Sequence, residues 1–173
     1  MERTPPLRSV RVPNGSGSQN HLEAAEFRAL ILELSHKIRV IGVVAATTGL
    51  RISEVLGLKW KNIDWKTSQM EVTRSVVDGI VGRCKTETSR RPVPIDEFTT
   101  SELLAWKRET AYAEPEDWVF ASEKVQGRMP PWADTLLDRF LQPAAKRAGI
   151  SPVTIQPVVD GAAAERNVTE PRS

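Results

Sequence analysis

Thr47-Thr-Gly-Leu-Arg-Ile-Ser-Glu-Val-Leu-Gly-Leu-Lys-Trp60 is the stretch on which the fold and the chemistry both turn. The residues leading into it, Lys37 to Thr48, are apolar on most sides and predict a buried helix. Gly49 is a helix stop. Ile52, Val55 and Leu56 then share one face of a short helix predicted near Ile52 to Leu58. Arg51 stands between the two helices. A guanidinium fixed there has a set direction, which suits a phosphate that takes two parallel hydrogen bonds from it. Glu54 follows three residues later on the same helix face and can hold Arg51 in place. Taken alone, the same pair also reads as an ordinary surface ion pair, worth roughly a few tenths of a kcal/mol.

Upstream, residues 1 to about 20 carry Pro5, Pro6, Pro13 and the run Asn14 to Ser18, which is linker chemistry. Asn20 precedes Glu23 as a capping pair, and Phe27, Leu30, Ile31 and Leu34 follow at helical spacing. Downstream the period changes. Met70 and Val72 alternate with polar neighbours, as in a half-buried strand. Asp78-Gly79 is a hairpin turn signal, Ile80 to Lys85 a second strand, Thr86 to Ser89 a turn, and Arg91 to Ile95 a third strand. Pro92 and Pro94 confine that last strand to a sheet edge.

Thr99 with Glu102 matches a capping box that opens a helix through Trp106. Asp117 to Ala121 reads as a short extended piece. A last helical pattern, Leu137, Phe140, Leu141, Ala144 and Ala148, stops at Gly149, with Pro143 kinking or splitting it. The expected fold class is therefore α+β and predominantly helical, with helices around a small three-stranded antiparallel sheet. The expected organisation is a tail over residues 1–21, one domain over 22–155, and an irregular tail over 156–173.

Composition narrows the function classes. The chain has 173 residues, 40% hydrophobic and 27% charged, the proportions of one globular domain. No apolar run approaches the roughly 20 residues that span a bilayer, and nothing at the N-terminus reads as a secretory signal. The single cysteine, Cys84, rules out an internal disulfide and points to a reducing, cytoplasmic setting. The net charge of +2 is uninformative, but its distribution is not. Arg83, Lys85, Arg90 and Arg91 face only one acid, Glu87, between residues 83 and 91. Such a local basic segment can meet phosphate. Lys85 can reach into DNA or donate a proton to a leaving oxygen, although a lysine guarding a sheet edge is common.

Thr47 to Trp60, continuing to Asn62-Ile-Asp64, resembles the first conserved box of the tyrosine recombinases, the phage integrase family. Gly82-Arg-Cys-Lys-Thr-Glu-Thr-Ser-Arg-Arg-Pro-Val-Pro-Ile95 looks like that family's lysine hairpin. Two motifs in the right order and setting are far more specific than either alone. The resemblance covers roughly residues 22 to 152. It implies a catalytic role for Arg51, which would clamp the scissile phosphate, for Glu54, which would support it, and for Lys85, which would protonate the leaving 5′ oxygen. Arg83, Arg90 and Arg91 would contact DNA. The implied reaction is phosphoryl transfer to an enzyme tyrosine, with no cofactor and no metal. The implied partners are double-stranded DNA and other recombinase protomers, with no membrane.

The sequence departs from that family's pattern towards its C-terminal end. The expected His-x-x-Arg pair would fall at Gln156 and Val159, which cannot do its work. The two histidines, His21 and His36, both precede Arg51. The only tyrosine, Tyr112, comes too early to be the nucleophile and reads as structural. The expectation is a catalytically incomplete recombinase fragment. Two other readings compete with it: a non-catalytic DNA-binding module using the basic hairpin, and a helical interaction protein with a chance match.

Overall fold

The computed structural model describes residues 24–83 and 92–150. Six α-helices lie among these residues: α1 (Ala24–Leu32), α2 (His36–Thr48), α3 (Ile52–Leu56), α4 (Glu97–Glu109), α5 (Ala133–Leu136) and α6 (Gln142–Arg147). Five short strands accompany them: β1 (Ile63–Asp64), β2 (Gln69–Glu71), β3 (Arg74–Val77), β4 (Ile80–Arg83) and β5 (Pro92–Pro94). The predominantly helical α+β class expected from the sequence is the class observed.

Helix α2 runs through the middle of the core. Val40 and Val44 are fully buried, and Ile38, Ile41, Val43, Ala45 and Ala46 nearly so. This is why the segment reads as apolar on most sides. Leu30 of α1, Val55 and Leu56 of α3, and Leu103 of α4 belong to the same cluster. Three tryptophans line the core, and each indole N–H reaches a carbonyl: Trp60 to Tyr112 (2.8 Å), Trp106 to Val119 (2.7 Å) and Trp118 to Arg128 (3.0 Å). A buried indole without a partner would forfeit that hydrogen bond to water.

The sheet differs from expectation in its membership. A three-stranded antiparallel sheet forms, but in the order β1-β2-β5, and β3-β4 stands apart as a two-stranded hairpin. The ladder breaks at Val72 and Thr73, between β2 and β3. Beyond the break the backbone of Arg74 is held against Gly57, so β3 follows α3 and leaves the β2 sheet. Strand β1 is too short for alternation to show in sequence. Asp64 forms the turn that returns the chain to β2, its carboxylate accepting from the N–H groups of Lys66 (2.9 Å) and Thr67 (3.3 Å). Other expectations hold. Asp78 (φ 50°) and Gly79 (φ 73°) both take positive φ in the two-residue turn, and β5, with its prolines, is an edge strand.

The cap of α4 is also corrected. Asp96 occupies the N-cap, its carboxylate accepting from the N–H of Thr99 at 2.7 Å. Thr99 lies inside the helix and is fully buried. Asp117 to Ala121 forms no strand, only an isolated bridge from Trp118 to Lys59. In the last helical region the residues 137–141 adopt a wide π turn, in which the N–H of Gln142 reaches the carbonyl of Leu137. Pro143 has no N–H to give to Arg139, so the ladder loosens just before it. Phe140, on that turn, is partly exposed at 39% and is not part of the core.

Candidate functional site

The site is built at the corner between α2 and α3. Gly49 ends α2 in the left-handed conformation (φ 71°, ψ 13°), and its N–H returns to the carbonyl of Ala45. No neighbour lies near its missing side chain, so the requirement for glycine is one of backbone conformation. The hydroxyl of Thr47 donates to the carbonyl of Val43, and that of Thr48 to the carbonyl of Val44. The Thr48 oxygen also accepts from the N–H of Leu50 at 3.3 Å. The corner is thus tied back onto the helix that precedes it.

Arg51 is the N-cap of α3, with extended backbone (φ −66°, ψ 147°). Its N–H donates to Glu54 Oε2 at 2.9 Å, and its guanidinium Nη1 stands 3.7 Å from Glu54 Oε1. The Glu54 side chain is only 14% exposed, whereas that of Arg51 is 81% exposed. The acid therefore fixes the arginine's backbone and leans on its head group, leaving most of the guanidinium to solvent. The ion pair adds little stability at such exposure. A largely exposed fork of N–H donors is what the geometry offers, and its natural complement is an oxyanion.

Gly57, at the far end of α3, connects this corner to the hairpin. A side-chain carbon at that position would stand 2.5 Å from the Arg74 carbonyl oxygen and 2.9 Å from its carbon. Only glycine lets the end of α3 rest on the backbone of β3. Arg74 pairs in register with Arg83, the last residue of β4. Arg51 to Gly57 spans about 9 Å along a helical rise. The backbone from which the basic segment departs is therefore within one short helix of Arg51.

Lys85, Arg90 and Arg91 lie outside the described residues, as do Cys84, His21, Gln156 and Val159. The backbone of Arg83 is placed by its pairing with Arg74. His36 starts α2, at the opposite end from Arg51, about 20 Å away by helical rise. Its Nδ1 is 2.7 Å from Glu109 and its Nε2 3.8 Å from Glu102, with its ring edge-on to Trp106. It packs α2 against α4. The ring of Tyr112 lies against the backbone of Gly127 and its carbonyl holds Trp60, a structural placement. Among the described residues no cluster of three or more His, Cys, Asp or Glu side chains could hold a metal ion. None of their helices is long and apolar enough to cross a membrane.

Sequence reasoning missed Gly57 and the Thr47, Thr48 and Thr99 hydroxyls. A threonine pair in a last helical turn is a signal for back-bonding to carbonyls four residues earlier. Nothing in the sequence marks which strand a glycine will rest upon.

A small mixed core of this kind, with an arginine at a glycine-ended corner beside a hairpin, is the architecture of a tyrosine recombinase catalytic domain. The model of the phage integrase family matches residues 21–158, and the chain belongs to that family. Solved structures agree in fold. The integrase of transposon Tn1549 in complex with transposon right-end DNA superposes with a TM-score of 0.72 at 18% identity, covering 92% of this chain. The lambda integrase catalytic core gives a TM-score of 0.60 at 18% identity over 86% of this chain and 85% of its own. The XerA recombinase gives 0.59 at 22% identity over 90% of this chain. The chain spans 57% of the Tn1549 integrase structure and 50% of the XerA structure. Among curated proteins there is no match.

Proposed function

We propose that this chain acts in site-specific recombination of double-stranded DNA, and that its described part supplies a phosphate grip through Arg51. The carrying observation is the pairing of a nearly buried Glu54 with an Arg51 guanidinium that is 81% exposed. The arginine's backbone is fixed and its donors stay largely open to solvent. Family membership supports the reading, as do the DNA complexes formed by the Tn1549 integrase. Glu54 positions Arg51. Lys85 stands at the position that would protonate the leaving oxygen in the family's reaction, and Arg83, Arg90 and Arg91 add sequence-independent phosphate contacts. Other protomers of the same kind would assemble on the DNA with it. We read one domain over residues 22–155, a range that the family match over 21–158 supports. A cytoplasmic setting belongs to the same reading and rests on the single Cys84.

Strand cleavage in the family passes through a tyrosine. Because this chain's only tyrosine packs on Gly127, we assign DNA binding to the chain itself and no nucleophile to Tyr112. This favours the non-catalytic DNA-binding reading for the isolated chain. The test is the salt dependence of binding to a 30-base-pair duplex. Each neutralised phosphate contributes a slope of about −0.9 in log K against log salt, so Arg51→Ala should flatten the plot by about that much. An unchanged slope for Arg51→Ala would remove Arg51 from the interface.

A further inference from the structure

Thr99 is fully buried in the first turn of α4, and it is 52 residues distant in sequence from the hydroxyl it meets, Thr47 Oγ1 at 2.8 Å. The direction of that bond follows from proton counting. Thr47 has one hydroxyl proton and spends it on the carbonyl of Val43 at 2.9 Å. Thr47 can therefore only accept from Thr99, and Thr99 must donate. The result is a short relay, from Thr99 to Thr47 to Val43, that ties the start of α4 to the last turn of α2. Two residues after Thr47 the chain turns at Gly49, and two residues after that it presents Arg51.

Thr99 is itself held from the other side. Its N–H donates to the Asp96 carboxylate at 2.7 Å, and Asp96 directly follows Ile95, the residue after β5. The sheet edge, the start of α4 and the arginine corner thus meet at one buried residue, Thr99, through its N–H on one side and its hydroxyl on the other. A fully buried hydroxyl that donates to another hydroxyl fixes both distance and direction, which a methyl group in the same place would not.

We infer that Thr99 is a positioning residue for Arg51, setting the angle of the corner that aims the guanidinium at a DNA phosphate. The inference rests on the phosphate-grip reading of Arg51. It predicts that Thr99→Val, which keeps the side chain's shape, loosens the corner, and that Thr99→Ser, which keeps the hydroxyl, does not.

The experiment pairs two measurements on the full chain. The first is amide hydrogen exchange without DNA. Thr99→Val should speed exchange at Gly49 and Leu50 roughly fivefold while leaving Val77, in the hydrogen-bonded closing pair of the hairpin, unchanged, and Thr99→Ser should restore the wild-type rates. The second is affinity for a 30-base-pair duplex at 0.1 M salt. Arg51→Ala should lose about eightfold, one phosphate contact at a slope of about −0.9. Thr99→Val should lose roughly threefold of that. In an Arg51→Ala background Thr99→Val should lose nothing further, because its effect passes through the arginine.

Unchanged exchange at Gly49 and Leu50 in Thr99→Val overturns the inference whatever the affinities. So does faster exchange with an affinity loss that persists at full size in the Arg51→Ala background, or with no affinity loss at all while Arg51→Ala still weakens binding. If Arg51→Ala itself binds DNA as well as wild type, the phosphate-grip reading falls and carries this inference with it, a pattern distinct from the other three.

Discussion

The carbonyl oxygen of Arg74 occupies the space that a side chain on Gly57 would need, 2.5 Å from where its first carbon would stand. Helix α3 and strand β3 are thereby pressed backbone to backbone, and the two halves of the site share one contact. Gly57 has ordinary right-handed backbone angles (φ −78°, ψ −2°), so alanine would suffer no conformational strain there. The whole cost of Gly57→Ala is the collision. It should lower stability by about 1–3 kcal/mol, the usual range for overpacking, measured as a reduced urea midpoint at constant slope. A neutral result would mean that β3 shifts freely and is no fixed reference for the corner.

Glu54 does two things at once, and substitution can separate them. Glu54→Ala removes the acceptor for the Arg51 N–H and the negative charge at the start of α3. About 1 kcal/mol of stability should go with them. Glu54→Gln keeps an acceptor oxygen and loses only the charge, so it should retain most of the stability. Chemical denaturation of the two variants side by side checks this. Equal losses would show that the hydrogen bond to the Arg51 backbone is not what Glu54 contributes.

Lys37 gives a pH signature at the other end of α2. Burial lowers its pKa below the ordinary 10.5, with Glu123 opposing, and its ammonium donates to the carbonyl of Ala121. Between the lowered folded value and 10.5 the unfolded chain holds a proton that the folded chain has released. Stability contributed by this group therefore rises with pH across that window. Denaturation midpoints should climb more steeply with pH on the approach to 10.5 for the wild type than for Lys37→Met. Parallel curves would show that Lys37 keeps its proton in the fold.

Tyr112 should be chemically silent. Its ring rests on Gly127, whose positive φ of 75° places the backbone under it. Incubation with a nicked duplex should give no covalent protein–DNA complex, and Tyr112→Phe should behave as the wild type does. A phosphotyrosyl adduct retained on a denaturing gel, and lost in Tyr112→Phe, would reverse the assignment.

Much of the fold is legible in the sequence, and for identifiable reasons. Helix α2 is buried on nearly every side, so its apolar run needs no context to be read. Gly49 and the Asp78-Gly79 turn need positive φ, which leaves few residue choices. Arg51 and Glu54 are three apart on a helix, and local spacing alone brings them together. What was not legible depends on long-range contact. The sheet divides because Arg74 sits on Gly57, 17 positions away, and alternation along one strand cannot reveal that. Thr99 looked like a cap because it precedes an acid by three, but Asp96 has the stronger claim as a carboxylate facing the free N–H of Thr99. Its true neighbour, Thr47, is 52 residues away.

The Gly57–Arg74 contact also bears on the order in which the molecule assembles. The corner, α3 and the β3-β4 hairpin occupy one continuous stretch, residues 47–83, and their mutual contacts close only short loops. Short loops cost little entropy and close early. A chain leaving the ribosome can settle this half of the site before α4 has emerged, whereas the Thr99 hydroxyl can arrive only once residue 99 is made. Arg51 would thus be placed in two stages: first roughly, by its own neighbourhood, and then finally, by a latecomer from α4.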